Sequence, residues 1–268
     1  MNLKRGVYVA CLFRTSRAQA VAVICSLSML LASAFAGAAE ANPYQQFLDT
    51  YRHETPRGAL VDYRAVTDAH KKALGNYVAG LQRQAPSTMG GAEAQAYWVN
   101  LYNSRMILLV LESGIPASIK DVKPNLAAWL AGGPWKYPVV DVEGRSLSFD
   151  DIEHGILRAQ WQEPRIHFVL NCASIGCPDL PAKVLTAGTL EAQLESAAWA
   201  FINSEKGVDV SANTVYLSRI FYWFGEDFGT TEGARIAFIN GYRKVPIPEG
   251  ASLRYRYDWA LNDYQAAR

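Results

Sequence analysis

The sequence predicts an α+β fold: a single mixed domain built round a buried central helix, with a small sheet beside it. Three observations carry this. Helical periodicity outnumbers strand alternation, and the two kinds of segment do not alternate strictly as a doubly wound sheet requires. One long helix is apolar nearly all round, the mark of a buried element. Half of the 268 residues are apolar and 12% aromatic, enough to bury a full core without depending on a disulfide. No repeat, low-complexity stretch or linker rich in Pro, Gly or Ser divides the chain further.

The N-terminus has its own logic. Lys4, Arg5, Arg14 and Arg17 precede an apolar run that extends from Ala18 through Leu31 into the small residues beyond, with overlapping A-x-A sites at Ala34-Phe35-Ala36 and Ala36-Gly37-Ala38. A run of about 20 residues is long enough to span a bilayer, but the Ala/Gly-rich cleavage sites mark a signal peptide over 1–38. The domain of 39–268 is then expected to be soluble, periplasmic or secreted, with no membrane anchor after cleavage. Cys25 follows Ile24 instead of the small residue that a lipoprotein site needs. Four of the 26 Lys and Arg lie in the leader and none of the 25 Asp and Glu does. The mature surface is therefore mildly acidic, with no basic stripe for nucleic acid. Cys11 and Cys25 leave with the leader, so Cys172 and Cys177 remain.

Along the mature chain, Tyr44, Phe47, Leu48 and Tyr51 predict a helix over 42–53. Residues 58–63 alternate as a short strand, and 70–84 read as a second helix stopped by Pro86. The central helix covers 93–113 and ends at Gly114. Asn100 and Asn103 lie on one face of it, three apart, although Asn is a poor helix-interior residue. Residues 135–142 look extended, with Glu143-Gly144 as a turn. Ser148, with Asp151 three residues on, opens a helix through Arg158. Residues 166–171 alternate as a strand, which gives His167 and Cys172 opposite parity. A helix over 190–202, a hairpin over 208–217 turning at Ser211-Ala212-Asn213, and an aromatic, inward-packed helical segment over 220–228 complete the chain.

Chemistry concentrates between Ser148 and Pro178. Glu153, His154, Arg158, Arg165, His167, Cys172 and Cys177 fall within that stretch. A Cys–His pair is the minimum for thiol catalysis, in which the thiolate attacks and imidazole moves the proton. Cys177 is the expected nucleophile and His154 the base, with Cys172 the second choice of nucleophile. Asn100 or Asn103 is the expected orienter of the imidazole. Glu153 sits about 100° round the helix from His154. Each feature has a structural alternative: a Cys172–Cys177 disulfide, an Asn clamp on a neighbouring loop, and an ion network of Glu153, His154 and Arg158. His53 and His70 are expected at the surface. No G-x-S-x-G, Walker loop, G-x-G-x-x-G or zinc spacing occurs, so neither cofactor nor metal is expected.

Five stretches carry a family resemblance: GALVDY (58–63), YWVNLYNS (97–104), LSFDDIEHGILR (147–158), RIHFVLNCASIGCP (165–178) and LSRIFYWFGEDF (217–228). With these the chain resembles the domain of unknown function 547 family, over nearly the whole mature length. The resemblance implies an exported bacterial member. It also implies that plant relatives carry Ser at position 177 and lack His167, while keeping the Glu-His pair. Glu153, His154, Asn100 and Asn103 would then be the shared polar set.

Two functions follow as expectations. The first is a thiol-dependent acyl or amide hydrolase or transferase of papain/transglutaminase-like kind, with His before Cys in the chain, the reverse of papain. The second is a non-enzymatic envelope protein with a structural disulfide that binds a small molecule or peptide.

Overall fold

Asn42 caps the first helix, α1 (Pro43–Tyr51), its side chain accepting from the Tyr44 and Gln45 N–H groups. The computed structural model describes residues 42–122, 134–211 and 214–267. The expected leader lies outside the described residues, as do Ala212 and Asn213 of the hairpin turn. Tyr44, Phe47, Leu48 and Tyr51 are the buried face of α1, as their spacing predicts. The hairpin of β1 (Arg52–Thr55) and β2 (Gly58–Val61) follows, and Thr67 caps α2 (Asp68–Gln82). His70 and His53 are half-buried instead of free at the surface. The Tyr51 hydroxyl is 2.7 Å from His70 Nδ1, and His53 stacks on Tyr264.

The central helix is α3 (Gly91–Glu112), buried from Ala94 to Val110 except at Arg105. It stops where Gly114 adopts φ +76, and the Ile115 N–H returns to the Val110 carbonyl, closing the end as a Schellman turn does. Strands β3 (Val140–Val142) and β4 (Arg145–Leu147) pair across Glu143-Gly144, both with positive φ. Only the last three residues of the expected extended run over 135–142 are therefore strand.

Ser148 and Asp151 form the expected reciprocal cap: Ser148 N–H and Oγ–H donate to Asp151 Oδ2, and Asp151 N–H donates to Ser148 Oγ. The helix that follows is π-helical over Asp151–Arg158 and ends in one α-helical turn, Ala159–Trp161. The expected strand over 166–171 is corrected to a 3-10 helix, Pro164–Phe168. Pro164 suits a first helical position because it has no N–H to satisfy, and the Glu163 side chain caps it by accepting from Arg165 N–H. Ile166, His167 and Phe168 are all buried, so the parity argument that separated His167 from Cys172 does not hold.

Helix α4 (Leu190–Ile202) has the expected bounds. Strands β5 (Val208–Ser211) and β6 (Thr214–Ser218) pair antiparallel, and β7 (Ser252–Arg256) joins β6 in parallel. The aromatic segment splits into α5 (Ile220–Trp223) and α6 (Gly225–Phe228), ahead of α7 (Glu232–Tyr242). The architecture is thus the predicted α+β fold, with three small sheets among the described residues. No helix among the described residues is long and apolar enough to cross a membrane.

Two apolar clusters form the core. The larger gathers around α3, and the smaller joins α4 to β5, β6 and the α5–α7 segment. After β7 the chain runs as a strap across the larger unit. Val61 N–H donates to the Asn262 carbonyl, Ile175 N–H to the Ala260 carbonyl, and Leu261 N–H to the Ala117 carbonyl. Gly176 admits this strap: a Cβ there would stand 2.8 Å from the Asp258 nitrogen.

Candidate functional site

Where the two apolar clusters meet, a cleft of ≈ 170 Å³ opens, lined from one side by Tyr102 and Leu170 and from the other by Ile220 and Phe224. The π-helix sends Glu153 and His154 into it, Asp150 reaches it from the residue just before, and the 3-10 helix sends His167. A π-helical stretch inside a helix is rare and recurs at functional sites. Cys172 and Cys177 form another wall, and Trp135, Trp223, Tyr257 and Trp259 supply an aromatic one. Trp223, Tyr257 and Trp259 touch one another pairwise, and Trp135 meets Trp259.

The polar end is an ordered set of charges. His167 Nε2 is 2.7 Å from Asp227 Oδ2, and Nδ1 is 3.4 Å from Glu153 Oε1. Carboxylates only accept, so a ring flanked by one at each nitrogen is an imidazolium. Burial opposes that charge, but Asp227 and Glu153 together outweigh it and raise the His167 pKa. Burial likewise works against ionisation of Asp227 and Glu153, yet His167 prevails and holds both below their ordinary values, aided at Asp227 by Arg158. Arg158 grips Asp227 with two parallel bonds of 2.6 and 2.8 Å. Phe224 stacks on the His167 ring at 4.2 Å, a favourable place for a cationic ring.

His154 has a different state. Arg158 Nη1 is 3.2 Å from His154 Nδ1. Guanidinium has no acceptor, so Nδ1 carries the lone pair and the proton sits on Nε2. Nε2 faces Asp150 Oδ1 at 3.8 Å. Burial pushes the Asp150 carboxyl up, with the Glu153 and Asp151 charges adding to it and His154 and Lys136 opposing.

Cys172 and Cys177 are joined as a disulfide. Cys172 N–H donates to Cys177 Sγ at 2.9 Å, and the Tyr257 hydroxyl donates to the same sulfur at 3.2 Å. Tyr257 Oη also lies 3.1 Å from Cys172 Sγ and 2.9 Å from Ser174 Oγ.

Cys172, Cys177, Glu153 and His154 thus share one cleft, while Asn100 and Asn103 do not line it. Asn100 exchanges two bonds with the Leu185 backbone. Asn103 donates to the Val169 carbonyl and accepts from Asn171 N–H, bracing the approach to Cys172. Both amides are clamps on buried backbone. Sequence reasoning missed Asp150, Asp227, Trp135, Tyr257 and Trp259. Asp227 stood inside the LSRIFYWFGEDF stretch, but Tyr257 and Trp259 reach the cleft only through the strap, which has no local signature. Among the described residues no cluster of three or more His, Cys, Asp or Glu has metal-binding geometry.

No curated protein and no solved structure matches the chain. Residues 86–202 match the family model described as "Protein of unknown function, DUF547". They include α3, the Glu-His helix and the cysteine loop, and over this stretch the chain is similar to that family.

Proposed function

We propose that this is an exported, non-hydrolytic binding protein whose cleft takes a small organic ligand, an apolar face against the aromatic wall and a cationic or donor end toward Asp150. The observation that carries the reading is the convergence of four packed aromatic rings with Asp150, a carboxylate that among the described residues pairs with His154 and with no arginine, while Asp227 is held by Arg158. Mostly apolar clefts with a few fixed polar groups are the usual form of small-ligand sites. A thiol hydrolase would need a free thiolate and a free imidazole lone pair. Here the sulfurs are bonded to each other, His167 is flanked by two carboxylates, and the His154 lone pair accepts from Arg158. The leader pattern supports action outside the cytoplasm.

Benzylamine, benzyl alcohol and benzoate share a ring and differ in the polar end, so they make a direct probe. Titrated against tryptophan fluorescence, benzylamine should bind best and benzoate worst, and Asp150→Asn should erase the order. Equal or absent responses to all three would overturn the reading. Ester hydrolysis by reduced protein, lost in Cys177→Ser, would restore the thiol enzyme.

A further inference from the structure

The disulfide is placed unlike a core staple. It closes a six-residue loop, CASIGC, whose Ala173 adopts φ +61, a left-handed conformation that is costly for a residue with a Cβ. It also lines the cleft at the edge of the larger apolar cluster. Its two sulfurs are not equivalent. Cys177 is 4% exposed, whereas Cys172 is half-buried. The Cys172 N–H donates to Cys177 Sγ at 2.9 Å, while the Tyr257 hydroxyl bridges both sulfurs, 3.2 Å from Cys177 and 3.1 Å from Cys172, and Ser174 Oγ stands 3.2 Å from Cys172.

A fixed backbone donor is what a departing thiolate needs. Thiol–disulfide exchange is faster when the leaving sulfur is the better stabilised anion, and it requires access to the sulfur under attack. Cys172 has the access, and Cys177 has a fixed backbone N–H donor beside the Tyr257 hydroxyl that both sulfurs share.

We propose that Cys172–Cys177 is an exchangeable disulfide, attacked at Cys172 by a small thiol that enters the cleft, with Cys177 leaving as a thiolate held by Cys172 N–H and Tyr257. In the first step an external thiolate forms a bond to Cys172 Sγ as the Cys172–Cys177 bond breaks, and the electron pair goes to Cys177. A second external thiolate then attacks the sulfur of the bound thiol, giving an external disulfide and releasing Cys172 as a thiolate. Two external thiols are oxidised, the protein pair is reduced by two electrons, and the thiol protons pass to solvent. The activity stands independently of the ligand reading, because it needs the sulfurs and Tyr257 but not Asp150.

The test uses the full oxidised chain in glutathione buffers of graded thiol-to-disulfide ratio, with acid quench, alkylation and intact mass. The pair is expected to pass from oxidised to reduced within the series. Cys177→Ser should take one glutathione at Cys172 from oxidised glutathione, while Cys172→Ser should leave Cys177 unmodified. Tyr257→Phe should slow exchange about tenfold, the effect of losing one hydrogen bond to a developing thiolate. Circular dichroism and thermal melts show whether each variant is folded, and the wild-type series needs no variant. A pair that stays oxidised throughout overturns the proposal. So does an adduct on Cys177 instead of Cys172, or a folded Tyr257→Phe protein that exchanges at the wild-type rate.

Discussion

At the scale of single residues, His167 ties charge to position. Removing it would leave Glu153 and Asp227 with no cation between them, Arg158 holding Asp227 from its own side only. His167→Gln should therefore cost about 3–5 kcal/mol near neutral pH, the range for breaking a buried ion pair, read by urea unfolding. The pH dependence has a definite sign. The folded His167 pKa is raised, so its stabilisation is complete below the ordinary imidazole value and is lost as pH rises through the raised one. Glu153 and Asp227 are depressed, so theirs is present above the ordinary carboxylate range and lost as pH falls through the depressed values. His167→Gln should flatten the alkaline decline, and equal slopes for both proteins would refute the imidazolium assignment. Asn103→Leu should cost about 1–3 kcal/mol by stranding the Val169 carbonyl and the Asn171 N–H. A loss of less than ~0.5 kcal/mol would show that the clamp is dispensable. The sequence made Glu153, His154 and the cysteines visible because they cluster within 31 positions, Ser148 to Pro178. It left Asp227 obscure, since a carboxylate among aromatics has no meaning until the ring it meets is known.

At the scale of elements, caps are readable and register is not. Ser148 and Asp151 announce a helix start by side-chain chemistry, and that start is found where the pattern puts it. Nothing in DIEHGILR distinguishes π from α, because that choice follows from what the helix packs on. The alternation over 166–171 misled for a related reason: Pro164 and Glu163 impose a 3-10 start that overrides a six-residue pattern. Ser148→Ala should cost about 1 kcal/mol, as loss of an N-cap does. The Ser148 bonds also hold the Asp151 carboxyl below its ordinary value, so this stabilisation is lost as pH falls through that depressed value. The variant should unfold in urea with a shallower acid limb than wild type. Indistinguishable acid limbs would mean that the cap contributes nothing to the helix start.

At the scale of the molecule, two apolar clusters meet at a cleft and the strap after β7 spans their seam. The strap adds few apolar side chains, with Leu261 alone among its buried ones in the larger core. Its hold is polar. Asn262 accepts from the Tyr63 hydroxyl at 2.8 Å and donates to Asn171 Oδ1 at 3.3 Å, with Asn171 in turn donating to the Pro178 carbonyl. Asp263 is 1% exposed and pairs with Arg64 at 2.9 Å. A chain ending at Arg256 would leave the Val61 N–H, the Tyr63 hydroxyl and the Ile175 and Gly176 N–H groups without their partners. Each stranded buried group costs on the order of 1–3 kcal/mol, and four of them rival the ~5–15 kcal/mol that a whole domain has in hand. The truncated chain should therefore show no cooperative urea transition. Asn262→Leu, which keeps the backbone bonds and removes only the amide, should stay folded and lose about 1–3 kcal/mol. Two-state unfolding of the truncated chain within ~1 kcal/mol of wild type would refute this account. The strap would then be an ornament to the cleft, not the tie across its seam.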